Sequence, residues 1–315
     1  MRTKQPGYNM DALCDLFGKS RQAYYQQSKY IYKEEVKSEI LLQLIDKQRK
    51  LMPRLGGRKL LELIKPGLPD ELYLGRDSFF EFLRDKNLLM RKPRHRVRTT
   101  YSNHWLHKYP NLIKEYSPKK AHQLWVSDIT YIETKEGFCY LSLVTDAYSR
   151  KIIGWKVGDT LEAKHTVKAL QMAINQLPKR NRDIIHHSDR GVQYCCDEYV
   201  KLLTKNQFKI SMTENGDPRD NAIAERVNGI LKDEWLKKMK LRSIPETIDQ
   251  LKQIIQIYNQ DRPHSSLDMK TPEFAHKQTC VFKMRWKKYP YRKDNEKEEQ
   301  KINSFVTPSE TMVKL

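Results

Sequence analysis

The chain has no apolar run of about 18 or more residues, the length a membrane-crossing helix needs. No charged-then-apolar leader opens it either, so the expected setting is the cytoplasm. Cysteine is sparse and odd in number, at Cys14, Cys139, Cys195, Cys196 and Cys280. That count fits reduced thiols and excludes a disulfide framework. No C-x-x-C occurs, which argues against a zinc site. His104 and His107 form an H-x-x-H but lack a nearby cysteine pair, and read better as exposed histidines. There is also no heptad run for a leucine zipper.

Acidic residues are in deficit, with 39 Asp and Glu against 59 Lys and Arg and a formal charge of +20. Such an excess implies a polyanionic partner, and leaves DNA, RNA and an anionic membrane surface undistinguished.

Residues 9–30 are expected to form two short helices around a turn at Gly18-Lys19, with Leu13, Leu16 and Phe17 packing on Ala23 and Tyr24. Ser20 is a natural N-cap for the second. Arg21, Gln22 and Tyr25 would then stand at the start of a recognition helix, where such residues read base edges or phosphates. Segment 1–33 is thus a candidate helix-turn-helix, and 34–90 a second helical module with Arg58 and Lys59 at a helix start. Segment 91–120 is basic, with Tyr101, Trp105 and Tyr109 interleaved. It reads as a linker that could follow a DNA backbone.

From residue 121 to 279 the pattern becomes α/β. Apolar segments at 124–132, 138–145 and 151–157 are joined by short turns and predict an antiparallel meander. Helices and strands then alternate, with strands at 184–188 and 209–212 and a long helix from about residue 220. The fold class expected is a ribonuclease-H-like mixed five-stranded sheet with helices, preceded by a small all-α region. Residues 280–315 turn basic and then polar, and read as a disordered tail.

Three acidic residues stand out by placement. Asp128 lies in LWVSDITYI and Asp189 in IIHHSDRGVQY, each after a strand-like run, while Glu225 lies on the helical segment ending in Lys232. Three carboxylates converging from two strand ends and a helix suit two divalent metals and in-line phosphoryl transfer. At 100° per residue Asn221, Glu225, Asn228 and Lys232 share one polar stripe, making Asn221 and Asn228 candidate DNA contacts and Lys232 a cation for a phosphate. Asp217 and Asp220 are candidate caps for that helix. Asp146, at another strand end, is better explained as a turn cap toward Tyr148 and Ser149. His186 and His187 point to opposite faces of a strand, so at most one can face the site.

HHSDRGVQY, the run from Thr213 to Lys232, WVSDITYI, SRKIIGWKV and YNQDRPHSSLDMKTP together resemble the integrase core of insertion-sequence transposases of the third family, relatives of retroviral integrases. The resemblance covers about residues 9–278. It implies that Asp128, Asp189 and Glu225 ligate two Mg²⁺ (with Mn²⁺ able to substitute) and that Lys232 is the family's basic residue after the Glu. It further implies double-stranded DNA ends and target as partners, a homo-oligomer that pairs two ends, and work at a bacterial nucleoid. Members often carry an upstream reading frame, so an upstream partner protein is a further expectation. Tyr258, Asn259, Arg262, Pro263 and His264 match a C-terminal motif read as structural, with contact to DNA as the alternative. A recombinase forming a covalent linkage, a non-catalytic regulator and a nuclease without joining activity are the competing readings.

Overall fold

The computed structural model describes residues 9–90, 105–114, 116–178, 183–214, 221–280 and residue 282. Helix α1 (Met10–Leu16) is capped by Asn9, and after Gly18 turns the chain at a φ of +62° Ser20 caps α2 (Arg21–Leu51) by accepting from the Ala23 amide. The second helix is not short. It runs 31 residues, across positions 33 and 34 where a boundary was expected. The reason is compositional: from 21 to 51 there is neither glycine nor proline to end it. The expected packing of the pair also differs. Leu16 and Phe17 are 76% and 56% exposed, and Cys14 is the buried residue of α1.

Leu41 and Ile45 on α2 turn inward against α3 (Gly57–Ile64) and α4 (Arg76–Asp85), whose Leu60, Leu61, Ile64, Phe79 and Leu83 are buried. These side chains do not form a core of their own. They continue into the one built by the sheet and its covering helices, each stabilising the fold by about 1.5–3 kcal/mol on burial.

The sheet begins with β1 (Leu124–Thr134), β2 (Gly137–Asp146) and β3 (Ile152–Gly158), the antiparallel meander read from the turns. Helix α5 (Ala163–Ile174) crosses over to β4 (Ile185–Ser188), which pairs parallel with β1. Helices α6 (Val192–Cys195) and α7 (Asp197–Lys205) lead to β5 (Lys209–Met212), parallel with β4. The spatial order is β3-β2-β1-β4-β5, the ribonuclease-H-like arrangement. Three more helices follow: α8 (Ala222–Glu234), α9 (Ile244–Gln260) and α10 (Pro272–His276).

Alternation along β1 sorts the two faces of the sheet. Trp125 packs with Ala169, Leu170 and Ala173 of α5 and with Tyr199 and Leu203 of α7. On the other face Ile132, Leu141 and Leu143 meet Val227, Ile230 and Leu231 of α8 and Leu251, Ile254 and Ile255 of α9. Helix α5 lies so close to β3 that a Cβ on Gly154 would stand 2.2 Å from the Ala169 carbonyl oxygen.

Part of the basic segment is ordered against the sheet. The Met212 amide donates to the Pro110 carbonyl and the Leu112 amide to Ser211 Oγ. Tyr101 and His104 lie outside the described residues, as do Asp217, Asp220 and the tail from 283 onward. All five cysteines are unpaired. Among the described residues no helix is long and apolar enough to cross a membrane.

Candidate active site

The register of the parallel strands brings the two aspartates together. Val126 on β1 stands opposite His187 on β4; extending that register by two residues sets Asp128, within β1, level with Asp189, one residue past the end of β4, and the Asp189 charge acts on Asp128. Adjacent strands lie about 4.8 Å apart. Asp128 is half-buried, with Oδ1 accepting from the Ile129 amide and Oδ2 from Asn228 Nδ2 at 2.8 Å. Burial, then the Asp189 charge and that of Glu225, push its carboxyl up to about 7, against the pull of those two hydrogen bonds. Asp189 is held by the turn after β4, its Oδ1 accepting from the Gly191 amide at 3.0 Å. A Cβ on Gly191 would stand 3.0 Å from that same oxygen, a tight contact that would displace the Asp189 carboxylate slightly.

Glu225 stands exposed in the first turn of α8 and Lys232 half-buried two turns on, on one face as the helical period requires. The helix dipole favours an anion at that N-terminal end. Two members of the same stripe turn inward. Asn221 is 4% exposed and donates Nδ2 to the Ser127 carbonyl, and Asn228 is 4% exposed and holds Asp128. Both were expected to touch DNA; in this structure their amides are engaged with β1. They fasten the Glu225 helix to the Asp128 strand instead.

The other candidates divide by exposure. Arg21, Gln22 and Tyr25 are exposed at the start of α2, with the Arg21 guanidinium 5.8 Å from the Tyr25 ring centre. Arg58 is exposed on α3. Lys59, its neighbour, differs: its side chain is 15% exposed and its Nζ lies 3.5 Å from Glu234 Oε1. One residue along a helix turns the side chain by about 100°, which carries it from solvent into the α3–α8 junction.

Asp146 is fully buried. It accepts from the Ser149 amide and hydroxyl and from the His122 amide, the turn cap the sequence suggested. His187 bonds Ser211, and His186 bonds Ser127 and Tyr199 on the opposite face. Neither is exposed. The C-terminal motif is structural in its contacts: Tyr258 donates to the Arg150 carbonyl, Asn259 pairs with both backbone groups of Ile152, and Arg262 grips Glu234. Sequence reading passed over Tyr194. Its hydroxyl is buried with no hydrogen-bond partner among the described residues, and burial followed by the Asp189 charge raises it well above its ordinary value. Its place five residues after Asp189 was the available signal.

Oxygen donors alone, with neighbouring carboxylates raising Asp128, fit hard divalent cations, which would relieve that repulsion. Among the described residues no three acidic, imidazole or thiol side chains are already gathered into a cage.

Two integrase core domain models match, over residues 118–218 and 206–272. The insertion element IS600 31 kDa protein of Shigella sonnei is 34% identical over 266 residues, covering 82% of this chain and 96% of that protein. The chain belongs to the integrase-core transposases of insertion sequences. The transposase InsF for insertion sequence IS3A of Escherichia coli is 31% identical over 70% of this chain and 77% of its own length. The transposase for insertion sequence element IS904 of Lactococcus lactis is 34% identical, over 52% of this chain and 65% of that relative. Among solved structures, the catalytic core domain of BIV integrase is similar over 57% of this chain and 99% of that one, at 15% identity and a TM-score of 0.39.

Proposed function

We propose that this transposase binds the terminal repeats of its insertion sequence, cuts DNA at their ends and joins the freed 3′-OH to another phosphodiester. Asp128, Asp189 and Glu225 would hold two Mg²⁺ (or Mn²⁺), which when bound supply Lewis-acid activation of the attacking and leaving oxygens. The chain's own residues do the rest. Asn228 and the Ile129 amide fix the Asp128 oxygens, and the Gly191 amide fixes Asp189. Lys232, on the Glu225 face, would meet the scissile-strand phosphate as a point charge. Arg21, Gln22 and Tyr25 would read the repeat as the second helix of a helix-turn-helix, and Arg58 would contact its backbone. Pairing two ends calls for a homo-oligomer, and an upstream-frame protein is a candidate partner.

The single observation that carries this reading is the Asn228–Asp128 hydrogen bond, which joins the Glu225 helix to a strand whose aspartate lies level with Asp189. The test is a labelled duplex carrying the element's own ends, incubated in Mg²⁺ or Mn²⁺ with wild type or Glu225→Gln. Cleavage and joining by wild type, both lost in the variant, are expected. Joining that survives the change, or protein left covalently attached to DNA, would sink the reading.

A further inference from the structure

The junction between α3 and the end of α8 contains a buried ionic cluster that the strand-transfer chemistry does not use. Arg262, with its side chain fully buried, donates Nε to Glu234 Oε2 at 2.7 Å and Nη2 to Glu234 Oε1 at 2.6 Å. Lys59 Nζ reaches the same Oε1 at 3.5 Å from the first turn of α3. Beside it, Trp235 Nε1 donates to the Leu51 carbonyl at the end of α2. Burial alone would raise the Glu234 carboxyl, but Arg262 and then Lys59 outweigh it and hold it below its usual range. Burial, then Arg262, bring the Lys59 ammonium down to about 8.

An apolar junction would hold two helices together as well as this one does, since burying an ion pair is seldom a net gain in stability. What the ions add is direction. Arg262, just past the end of α9, grips Glu234 with two prongs and so lets α8 slide little; Lys59 ties α3 to that pair, and Glu234 is the last residue of α8, nine positions from Glu225. At 1.5 Å per residue that is about 13.5 Å of continuous helix, a rigid rod between the junction and the candidate metal ligand. At the other end, Arg58 is exposed on the first turn of α3 beside the inward Lys59.

We propose that Lys59, Glu234, Arg262 and Trp235 form a positioning clamp, through which DNA held at Arg58 fixes α8 and so places Glu225 for strand transfer. The clamp rests on the proposed function for its output but not for its existence. None of its four residues contacts the reacting DNA; each acts through α8. Binding at α3 and placement at α8 are therefore coupled through the clamp, and the coupling is read in the rate of joining rather than in affinity.

Lys59→Met keeps the aliphatic stem and leaves the Glu234–Arg262 pair intact. Trp235→Phe keeps an aromatic side chain but removes the donor to Leu51 together with part of the buried indole volume, so it serves as the second variant and a folding failure in one leaves the other usable. Affinity for a duplex carrying the element's end should stay within about threefold, while kcat for joining falls about tenfold at unchanged KM. Lys59→Arg should recover most of the rate. A second readout needs no chemistry: amide exchange across residues 222–234 should slow in wild type when the duplex is added, and respond less in Lys59→Met. Wild-type kcat in both variants, or α8 exchange that does not respond to DNA in wild type, would overturn the clamp. A wild type that neither cuts nor joins, yet protects α8 on binding DNA where Lys59→Met does not, would instead discard the proposed chemistry and keep the clamp.

Discussion

Asn228 on α8 donates its Nδ2 hydrogen to Oδ2 of Asp128 on β1 over 2.8 Å, tying the helix of one candidate metal ligand to the strand of another. Its own Oδ1 is buried without a hydrogen-bond partner among the described residues, so the side chain is committed to this one contact. A hydrogen bond to a carboxylate contributes about 1.5–3 kcal/mol, so Asn228→Ala should lower strand transfer tenfold or more. End-duplex affinity should hardly change. Asn228→Asp should be worse, because it sets a third acid against Asp128. Equal losses of binding and rate in Asn228→Ala would return the side chain to the DNA-contact role its position on the stripe first suggested.

The meander and the later strands were legible because each leaves a local mark. Hairpin turns interrupt the apolar runs, and Asp189 sits just past the end of one; Asp128, expected at a strand end, lies inside β1 because the apolar pattern continues through Ile129 and Ile132. Asn228 and Lys59 were legible as polar residues on a helix but not as inward ones. Their partners lie 100 and 175 positions away, and no local pattern encodes that separation. The length of α2 failed for the opposite reason. The absence of glycine and proline from 21 to 51 was a usable signal, obscured by the polar 21–35 stretch, which buries little and shows no apolar stripe.

Close approach of α5 to β3 makes Gly154 a test of core geometry. A Cβ there meets the Ala169 carbonyl oxygen at 2.2 Å and Ala173 Cβ at 3.0 Å, and backbone cannot move aside as a side chain can. Gly154→Ala should cost about 1–3 kcal/mol by overpacking, read as a lower urea midpoint at unchanged slope. Gly57→Ala meets side-chain atoms alone, the Phe80 ring at 2.9 Å and Leu83 Cδ1 at 3.2 Å, and should cost less. Equal midpoints for the two variants would show that α5 can shift freely.

Buried imidazoles set the acid limit of the fold. His186 is pushed down to about 3 and His276 to about 4, with His264 well below its ordinary value, in each case chiefly by burial. A folded-state value below the unfolded one near 6.5 means the unfolded chain binds more protons. These groups therefore give stability that is complete above pH 6.5 and lost as pH falls toward 4. Asp128, raised to about 7, works the other way and takes up protons on folding as pH falls. Urea midpoints measured from pH 7.5 to 4.5 on an Asp128→Asn background should fall steadily. Adding His276→Asn should flatten the slope, and an unchanged slope would remove that imidazole from the account.

Exposure of Arg21 and Gln22 at the start of α2 leaves two roles open to them, and salt and sequence separate the two. Phosphate contacts act on every duplex alike and are weakened by salt through counterion release. Contacts to base edges are worth about 1–3 kcal/mol of discrimination each. The Tyr25 ring, 5.8 Å from the Arg21 guanidinium, and Asp11, 3.7 Å from its Nη1, orient that side chain rather than leaving it a loose cation. The double change Arg21→Ala, Gln22→Ala should therefore weaken binding to the element's end about tenfold or more while random duplex loses much less. Arg58→Ala, which removes the proposed backbone contact, should weaken both alike and make the dependence on salt shallower. Parallel losses from the two variants would make Arg21 and Gln22 phosphate contacts, and the reading of the terminal repeat would then have to come from another surface.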